Sequence, residues 1–233
     1  MNDAIIVFAR LDSSRLPGKA LKPIAGKLLI DRVIDRCRAV SSRAPVIVAT
    51  SDRATDDPIA DHVRGRDVPL FRGASDDVAG RALACAEEHG LELFVRVSGD
   101  SPFIEPALID RCLDRARDGA ADLVTNVFPR TYPAGVSVEA IRSSAMRRIV
   151  EETEDVQDRE HVTRYAYRRA ERFVIENLAA PDDRYAGLNL SVDTLADHAK
   201  ACWIFETLGD DVDLDAAAAA AREWDLKGSE ART

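Results

Sequence analysis

The 233-residue chain has few cysteines and no two of them close together. Cys37, Cys85, Cys112 and Cys202 form no CxxC pair, so a zinc ribbon or a thioredoxin-like redox motif is excluded. Each lies among apolar neighbours in a helix-like stretch and reads as a reduced core residue. The histidines, His62, His89, His161 and His198, form no HExxH or related zinc pattern. Gly and Pro together are too scarce (12 and 10 residues) for a collagen-like or low-complexity chain. Basic charge is also short: 32 Lys and Arg face 41 Asp and Glu, a net charge of −9. A general nucleic-acid binder would show the opposite balance. A small anionic ligand remains compatible, because a local basic loop can sit on an acidic body. No apolar run is long enough to cross a bilayer, and the N-terminus enters an apolar strand-like segment with no signal-peptide pattern. The expectation is a cytoplasmic protein that uses neither membrane nor nucleic acid. Walker and GxGxxG phosphate loops are missing, as are internal repeats and linker-like stretches.

What is present is an alternation of strands and helices. Ala4 to Phe8 is a continuous apolar run and predicts a buried strand. A helix-periodic stretch follows from Leu28, with Leu29, Val33, Ile34 and Cys37 on one side and Asp31, Arg32, Asp35 and Arg36 on the other. Val46 to Ala49, Val68 to Phe71, Leu93 to Val97 and Asp122 to Val127 read as strands. Asp57 to Arg64, Asp77 to His89 and Pro106 to Arg117 read as helices, with Gly90 stopping the second and Pro106 suited to a first turn. Beyond them, residues 129–138 read as loop and strand. Ser143 to Glu152 and Arg159 to Arg169 read as helices, Phe173 to Leu178 and Leu188 to Val192 as strands. Leu195 to Leu208 and Asp215 to Trp224 are expected to close the chain as helices, the alanine run 216–221 being a packing helix. This order predicts one α/β domain over residues 1–233, a mostly parallel sheet covered on both faces, with a less regular insert at about 129–180.

In open α/β sheets ligands bind beyond the carboxyl ends of the strands. The first strand exits into Ala9-Arg10-Leu11-Asp12-Ser13-Ser14-Arg15-Leu16-Pro17-Gly18-Lys19, which gathers cations, hydroxyls and a Pro-Gly turn. A phosphate chain needs that mixture of fixed cations and loop N–H groups; a solvated turn is the plainer alternative. Arg96-Val97-Ser98-Gly99-Asp100-Ser101-Pro102 caps the fourth strand, and Leu188-Asn189-Leu190-Ser191-Val192-Asp193-Thr194 also ends an apolar run on a carboxylate. Asp100 and Asp193 could converge on one hard divalent cation. Alternatively, each could serve a helix N-terminus.

Together these stretches resemble the cytidylyltransferases that make CMP-activated acidic sugars, most of all the branch named for spore coat polysaccharide biosynthesis. The first loop matches ARxxSxRLPGK. Further matches follow in order: Ala49-Thr50-Ser51-Asp52, Phe71-Arg72-Gly73 with Asp77-Val78, the Asp100 cluster, Thr131-Tyr132-Pro133 with Gly135, Arg159-Glu160-His161-Val162-Thr163, and Ser191-Val192-Asp193-Thr194. The resemblance runs from residue 4 to about 208. The chain departs from the pattern at Phe8, Asp12, Ser137, Arg164 and Asp197, mostly on the acceptor side.

The resemblance implies a Rossmann-like three-layer sandwich of the nucleotide-diphospho-sugar transferase type, with a small insert used for homodimerisation. It implies transfer of CMP from CTP to a nonulosonate-like acidic sugar, with release of pyrophosphate, in surface polysaccharide biosynthesis. Arg10, Lys19 and Asp100 would be catalytic. Ala9, Arg10, Ser13, Ser14, Arg15, Lys19, Arg72, Ser98 and Gly99 would bind the nucleotide, with Arg72 near the base. Asp100 and Asp193 would bind Mg2+. Tyr132, Glu139 and His161 would serve the acceptor, His161 and Tyr132 being equally open to a structural role. Alternatives are a phosphonate, phosphorylated polyol or other phosphorylated acceptor, or a catalytically silent nucleotide-binding subunit.

Overall fold

The computed structural model describes residues 2–230, with side chains through Lys227. From the N-terminus it runs β1 (Asp3–Phe8), a hairpin of β2 (Pro23–Ile24) and β3 (Lys27–Leu28), α1 (Leu29–Arg38), β4 (Val46–Ser51), α2 (Asp57–Arg64), β5 (Leu70–Gly73), α3 (Val78–Glu88), β6 (Leu93–Ser98) and α4 (Pro106–Asp118). The second half holds β7 (Leu123–Thr125), β8 (Glu139–Arg142), α5 (Ser143–Glu152), α6 (Val156–Glu160), α7 (Arg164–Arg168), β9 (Ile175–Asn177), α8 (Leu195–Leu208) and α9 (Leu214–Glu230). No helix among the described residues is long and apolar enough to cross a membrane.

Seven strands form one sheet in the order β5-β4-β1-β6-β8-β7-β9. All neighbours are parallel except β8, which is antiparallel to both β6 and β7. β1 lies near the middle, and Ala4, Ile5, Ile6 and Val7 are fully buried. Its side chains alternate between two cores. Ile5 and Val7 join the core formed with α1, α2, α4, α8 and α9; Ala4, Ile6 and Phe8 join the one under α3, α5 and α7. Burial on both sides is why the strand reads as an unbroken apolar run. Each large aliphatic side chain so buried contributes roughly 1.5–3 kcal/mol. The expected three-layer α/β sandwich is therefore observed.

Three expectations are corrected. Arg159 to Arg169 is two short helices, because the chain breaks at His161 (φ −109°, ψ 80°). Leu188 to Val192 is extended but forms no strand. Among the described residues it meets one bridge partner, Ala134 opposite Asn189, since Pro133 has no N–H to offer and Gly135 adopts φ +86°. The strand from Asp122 stops at Thr125, where the Asn126 amide turns instead to Val136 and Val138. β8 and the β2–β3 hairpin are strands that the hydrophobic pattern does not announce.

Gly135 fixes the extended 188–192 segment. A Cβ there would lie 2.2 Å from the Ser191 nitrogen and 2.5 Å from the Leu190 carbonyl carbon. The segment can therefore rest flush on residue 135 only if that residue is glycine. Gly135→Ala is expected to cost about 3 kcal/mol, combining overpacking with a left-handed backbone, read as a lowered urea midpoint. An unchanged midpoint would mean that the two segments can part freely.

Candidate active site

The β1 exit loop is stapled at several points. Gly18 donates its N–H to the Leu11 carbonyl at 2.9 Å, and Lys19 N to Leu16 O at 3.2 Å. Leu16 N donates to Ser13 Oγ at 3.3 Å, and Leu11 N to Asp56 Oδ1 at 2.7 Å. The Leu16 side chain is buried in the core beneath. The β6 exit packs directly against it. Gly99 N donates to Phe8 O at 2.8 Å, and a Cβ on Gly99 would stand 2.9 Å from both that oxygen and the Ala9 Cβ. Glycine is what lets the two strand ends approach so closely.

The third contributor, Asp193, follows the segment held by Gly135. It does not cap α8: Thr194 does, in a reciprocal capping box with Asp197. Nor does Asp100 cap α4, whose N-terminus is served by Glu105. Both aspartates are thus available for a common partner, and that partner is Lys19. Its Nζ lies 2.7 Å from Asp100 Oδ2 and 2.8 Å from Asp193 Oδ1. Arg15 Nη2 adds a 3.1 Å contact to Asp193, and Ser191 Oγ donates to its other oxygen at 3.2 Å. Partial burial disfavours charge on Asp193, yet the Lys19 hydrogen bond and the charges of Lys19 and Arg15 prevail, holding its pKa below the ordinary carboxylate value.

The result is a cleft of about 340 Å³ lined by Ala9, Arg10, Ser13, Ser14, Arg15, Lys19, Ser98, Gly99, Asp100, His161 and Asp193. Its size suits a ligand of nucleotide scale. Arg10 extends across it, its guanidinium 3.1 Å from both Asp12 and Glu160. Asp12 is in turn 3.0 Å from Arg53, so the acidic residue in the loop is balanced by cations on both sides. Glu160 and His161 reach the cleft because α6 is tied back to α3: Arg159 pairs with Asp77, the α3 N-cap, at 2.9 Å.

Two expected site residues lie elsewhere. Arg72, on β5, donates to Ser51 O (2.9 Å), Arg53 O (2.8 Å) and Asp57 (2.7 Å), and lines a separate surface depression. Being two strands from β1, it is anchored away from the cleft. Tyr132 is 6% exposed and stacks on Tyr185 in the core, with ring centroids 5.4 Å apart. Conversely, the cleft holds a cation outside the matched stretches, Arg81. It lines the cleft from α3, is 3% exposed, and among the described residues its guanidinium donates to the Ala74 carbonyl at 2.8 Å. Its burial lowers its pKa. The usable signal was a cation on the apolar side of a predicted helix, among Ala79, Ala82 and Cys85.

A second cavity of about 500 Å³ adjoins the first and shares Arg96 and His161 with it. Glu139 lies on its wall. Opposite Arg96 in the β6–β8 register, it is 1% exposed, pairs with Arg96 at 2.5 Å, and accepts from Thr163 Oγ1 at 2.7 Å and from the Tyr167 hydroxyl. Burial opposes its charge, but Arg96 and these donors outweigh it and keep its pKa low. Glu139 is thus a fixed acceptor that holds Arg96 at the junction of the cavities.

Among the described residues no third His, Cys, Asp or Glu joins Asp100 and Asp193 to form a metal cage. Two carboxylates converging on one cation do suit Mg2+, which is commonly held by one or two carboxylates, waters and substrate phosphates.

Residues 4–201 match the family described as cytidylyltransferase. The chain is 30% identical over 224 residues to the spore coat polysaccharide biosynthesis protein SpsF of Bacillus subtilis, covering 93% of this chain and 92% of that one. A solved cytidylyltransferase from Leptospira borgpetersenii superposes with a TM-score of 0.89 at 24% identity, over 98% of this chain and 96% of the other. A CMP:2-keto-3-deoxy-manno-octonic acid synthetase complexed with CTP superposes with a TM-score of 0.70 at 19% identity, over 89% and 99%. The chain therefore belongs to the cytidylyltransferase family and is a nucleotidyltransferase.

Proposed function

We propose that the enzyme transfers CMP from CTP to a nonulosonate-like acidic sugar, releasing pyrophosphate, in surface polysaccharide biosynthesis in the cytoplasm. The carrying observation is the Lys19 ammonium held between Asp100 and Asp193 in a cleft that also presents Arg10, Arg15 and Arg81. The family, the polysaccharide role in the relative's name and the CTP in the solved neighbour support the nucleotide and the pathway. Unpaired cysteines fit a reducing compartment. A homodimer would use the segment after residue 129, where Val156 and Val174 are exposed.

In the reaction an acceptor hydroxyl oxygen attacks the α-phosphorus, the bond from it to the α–β bridging oxygen breaks, pyrophosphate leaves with that oxygen, and the hydroxyl's proton passes to solvent water. Arg10, Arg15 and Lys19 neutralise the charge that grows on the departing pyrophosphate, and the Ser13–Ser14 turn supplies hydrogen bonds. Arg81, buried and without a carboxylate partner among the described residues, holds a fixed positive charge on the floor. Mg2+ bound by Asp100 and Asp193 would supply Lewis acidity and orientation at the reacting centre.

A thermal-shift series with the four nucleoside triphosphates and Mg2+ tests the reading, CTP being expected to give the largest shift. Asp100→Asn is expected to lower pyrophosphate release by about 10²–10³-fold or more with an unchanged melting temperature. Equal shifts from all four triphosphates would remove the cytidylyl assignment, and full activity in Asp100→Asn would remove the role of that carboxylate.

A further inference from the structure

Two of the stretches matched in sequence, Ala49-Thr50-Ser51-Asp52 and Phe71-Arg72-Gly73, line neither cavity of the site. Both are nevertheless tied to the β1 exit loop through one buried acid. Asp56 lies between β4 and α2 and is 1% exposed. Burying a carboxylate is costly unless it is well partnered. Asp56 stands at the N-cap position of α2, yet its side chain makes no cap bond there. Among the described residues its carboxylate is met instead by two neutral donors. Oδ1 accepts the Leu11 N–H at 2.7 Å, and Oδ2 accepts the Ser51 hydroxyl. A carboxylate on a backbone N–H is among the stronger hydrogen bonds, and this one is short.

Leu11 is the pinned residue of the loop. Asp56 holds its N–H, Gly18 N donates to its carbonyl at 2.9 Å, and its partly buried side chain packs against the core. Arg10, one residue earlier, lines the cleft. The root of the Arg10 side chain is therefore set by the bond between Asp56 and Leu11. Its tip is met by Asp12 and Glu160, and Asp12 is itself paired with Arg53 at 3.0 Å. Asp56 and Arg53 belong to one short segment. Arg72 braces that segment from β5, donating to the carbonyls of Ser51 and Arg53 and pairing with Asp57. A chain of contacts thus runs from Arg72 through residues 51–57 to Arg10. Small shifts along it matter, because about 1 Å of misplacement by a remote change costs roughly 10²-fold at a positioned site.

Resting on the CMP-transfer reading above, we propose that Asp56 is a positioning residue: it fixes Leu11 and so aims the Arg10 guanidinium at the triphosphate, with Arg72 as its brace. The test is isothermal titration with CTP and Mg2+, which needs no acceptor. Asp56→Ala is expected to weaken CTP binding by roughly tenfold, and by no more than Arg10→Met does, because it acts through that guanidinium. Asp56→Asn keeps an acceptor oxygen for the Leu11 N–H and is expected to restore most of the affinity. Adding Asp56→Ala to Arg10→Met is expected to cost little further, since coupled residues do not add. A role in stability alone predicts the opposite: a lowered melting temperature, with any loss of affinity repeated in full when Arg10 is absent. Val63→Ala, in the buried face of α2, is the control, expected to lower the melting temperature and leave CTP affinity unchanged. Should Asp56→Ala fail to fold, Arg72→Met carries the same cycle with Arg10→Met, its side chain lying at the surface. Unchanged CTP affinity in the folded variant, or an equal loss with and without Arg10, would overturn the proposal. Failure of the unsubstituted protein to bind CTP removes the CMP-transfer reading and this role with it. Normal CTP binding matched by Asp56→Ala removes only the role of Asp56.

Discussion

Lys19→Met is expected to lower turnover by about 10²–10³-fold, the effect of removing one charge-stabilising donor from a transfer site, and pyrophosphate release is the readout. The size of the loss follows from position. Lys19 is the cation that contacts both converging aspartates, and its side chain is only 12% exposed, so solvent screens it little. Methionine keeps the stem and removes the ammonium, which separates charge from packing. The variant also leaves two carboxylates facing each other across the cleft with less positive charge between them, which raises the cost of keeping both ionised. Arg15 still contacts Asp193, so the fold is expected to survive. A variant with normal turnover would show that the ammonium only props the aspartates apart.

The same substitution has a signature in pH. The pKa of Asp193 is lowered in the folded protein, so its contribution to stability is present above the unfolded carboxylate pKa of about 3.9 and is lost as pH falls through the lower folded value. Lys19→Met removes the main favourable cause of that lowering. The acid-induced loss of stability attributable to this site should shrink in the variant, measured as the difference between urea midpoints at neutral and acidic pH.

Glu139→Ala is expected to be the most destabilising single change. It strips the carboxylate from Arg96, Thr163 and Tyr167 at once, leaving a guanidinium beneath α7 without its counter-ion. Breaking one side of a buried pair costs about 3–5 kcal/mol, a large share of a typical domain's stability of roughly 5–15 kcal/mol. Glu139→Gln keeps the shape and an acceptor oxygen, so its cost should be clearly smaller. Chemical denaturation of the two variants side by side decides the matter: equal, small losses would show that Arg96 finds water instead.

The first half of the fold was legible because its signals are local. The Ala4–Phe8 run and the pattern of α1 encode burial directly, and helix α4 carries its own start in Pro106. The second half depends on distant partners. β8 begins on Glu139 and ends on Arg142, charges that argue against a central strand. Each is accommodated by residues far away in sequence: Arg96 for the first, and the carbonyls of Ala116, Gly119 and Ala121 for the second. The alternation in Leu188 to Val192 correctly marked an inward-facing segment but could not show that it lacks a continuous partner.

The cleft followed the same division. Arg10, Lys19, Asp100 and Asp193 stand on loops whose turns and glycines are visible in sequence, and the structure brings them to one place. Arg72 was drawn in by its neighbourhood in a matched stretch and is anchored elsewhere by two backbone carbonyls and Asp57. Arg81 is marked in the sequence by its place on the apolar side of α3, among Ala79, Ala82 and Cys85, but that position does not tell a cation facing a cleft from one held within the core.

The reversed strand has one last consequence. The first cleft hangs from β1, β6 and the segment before α8, whereas the second cavity is built from β8, α7 and residues 127–137, and among the described residues the two share Arg96 and His161. β8 is thus a seam between two separately built pockets. Substitutions at Phe128, Arg130, Ser137 and Arg164 would change one pocket and leave in place every residue that lines the other.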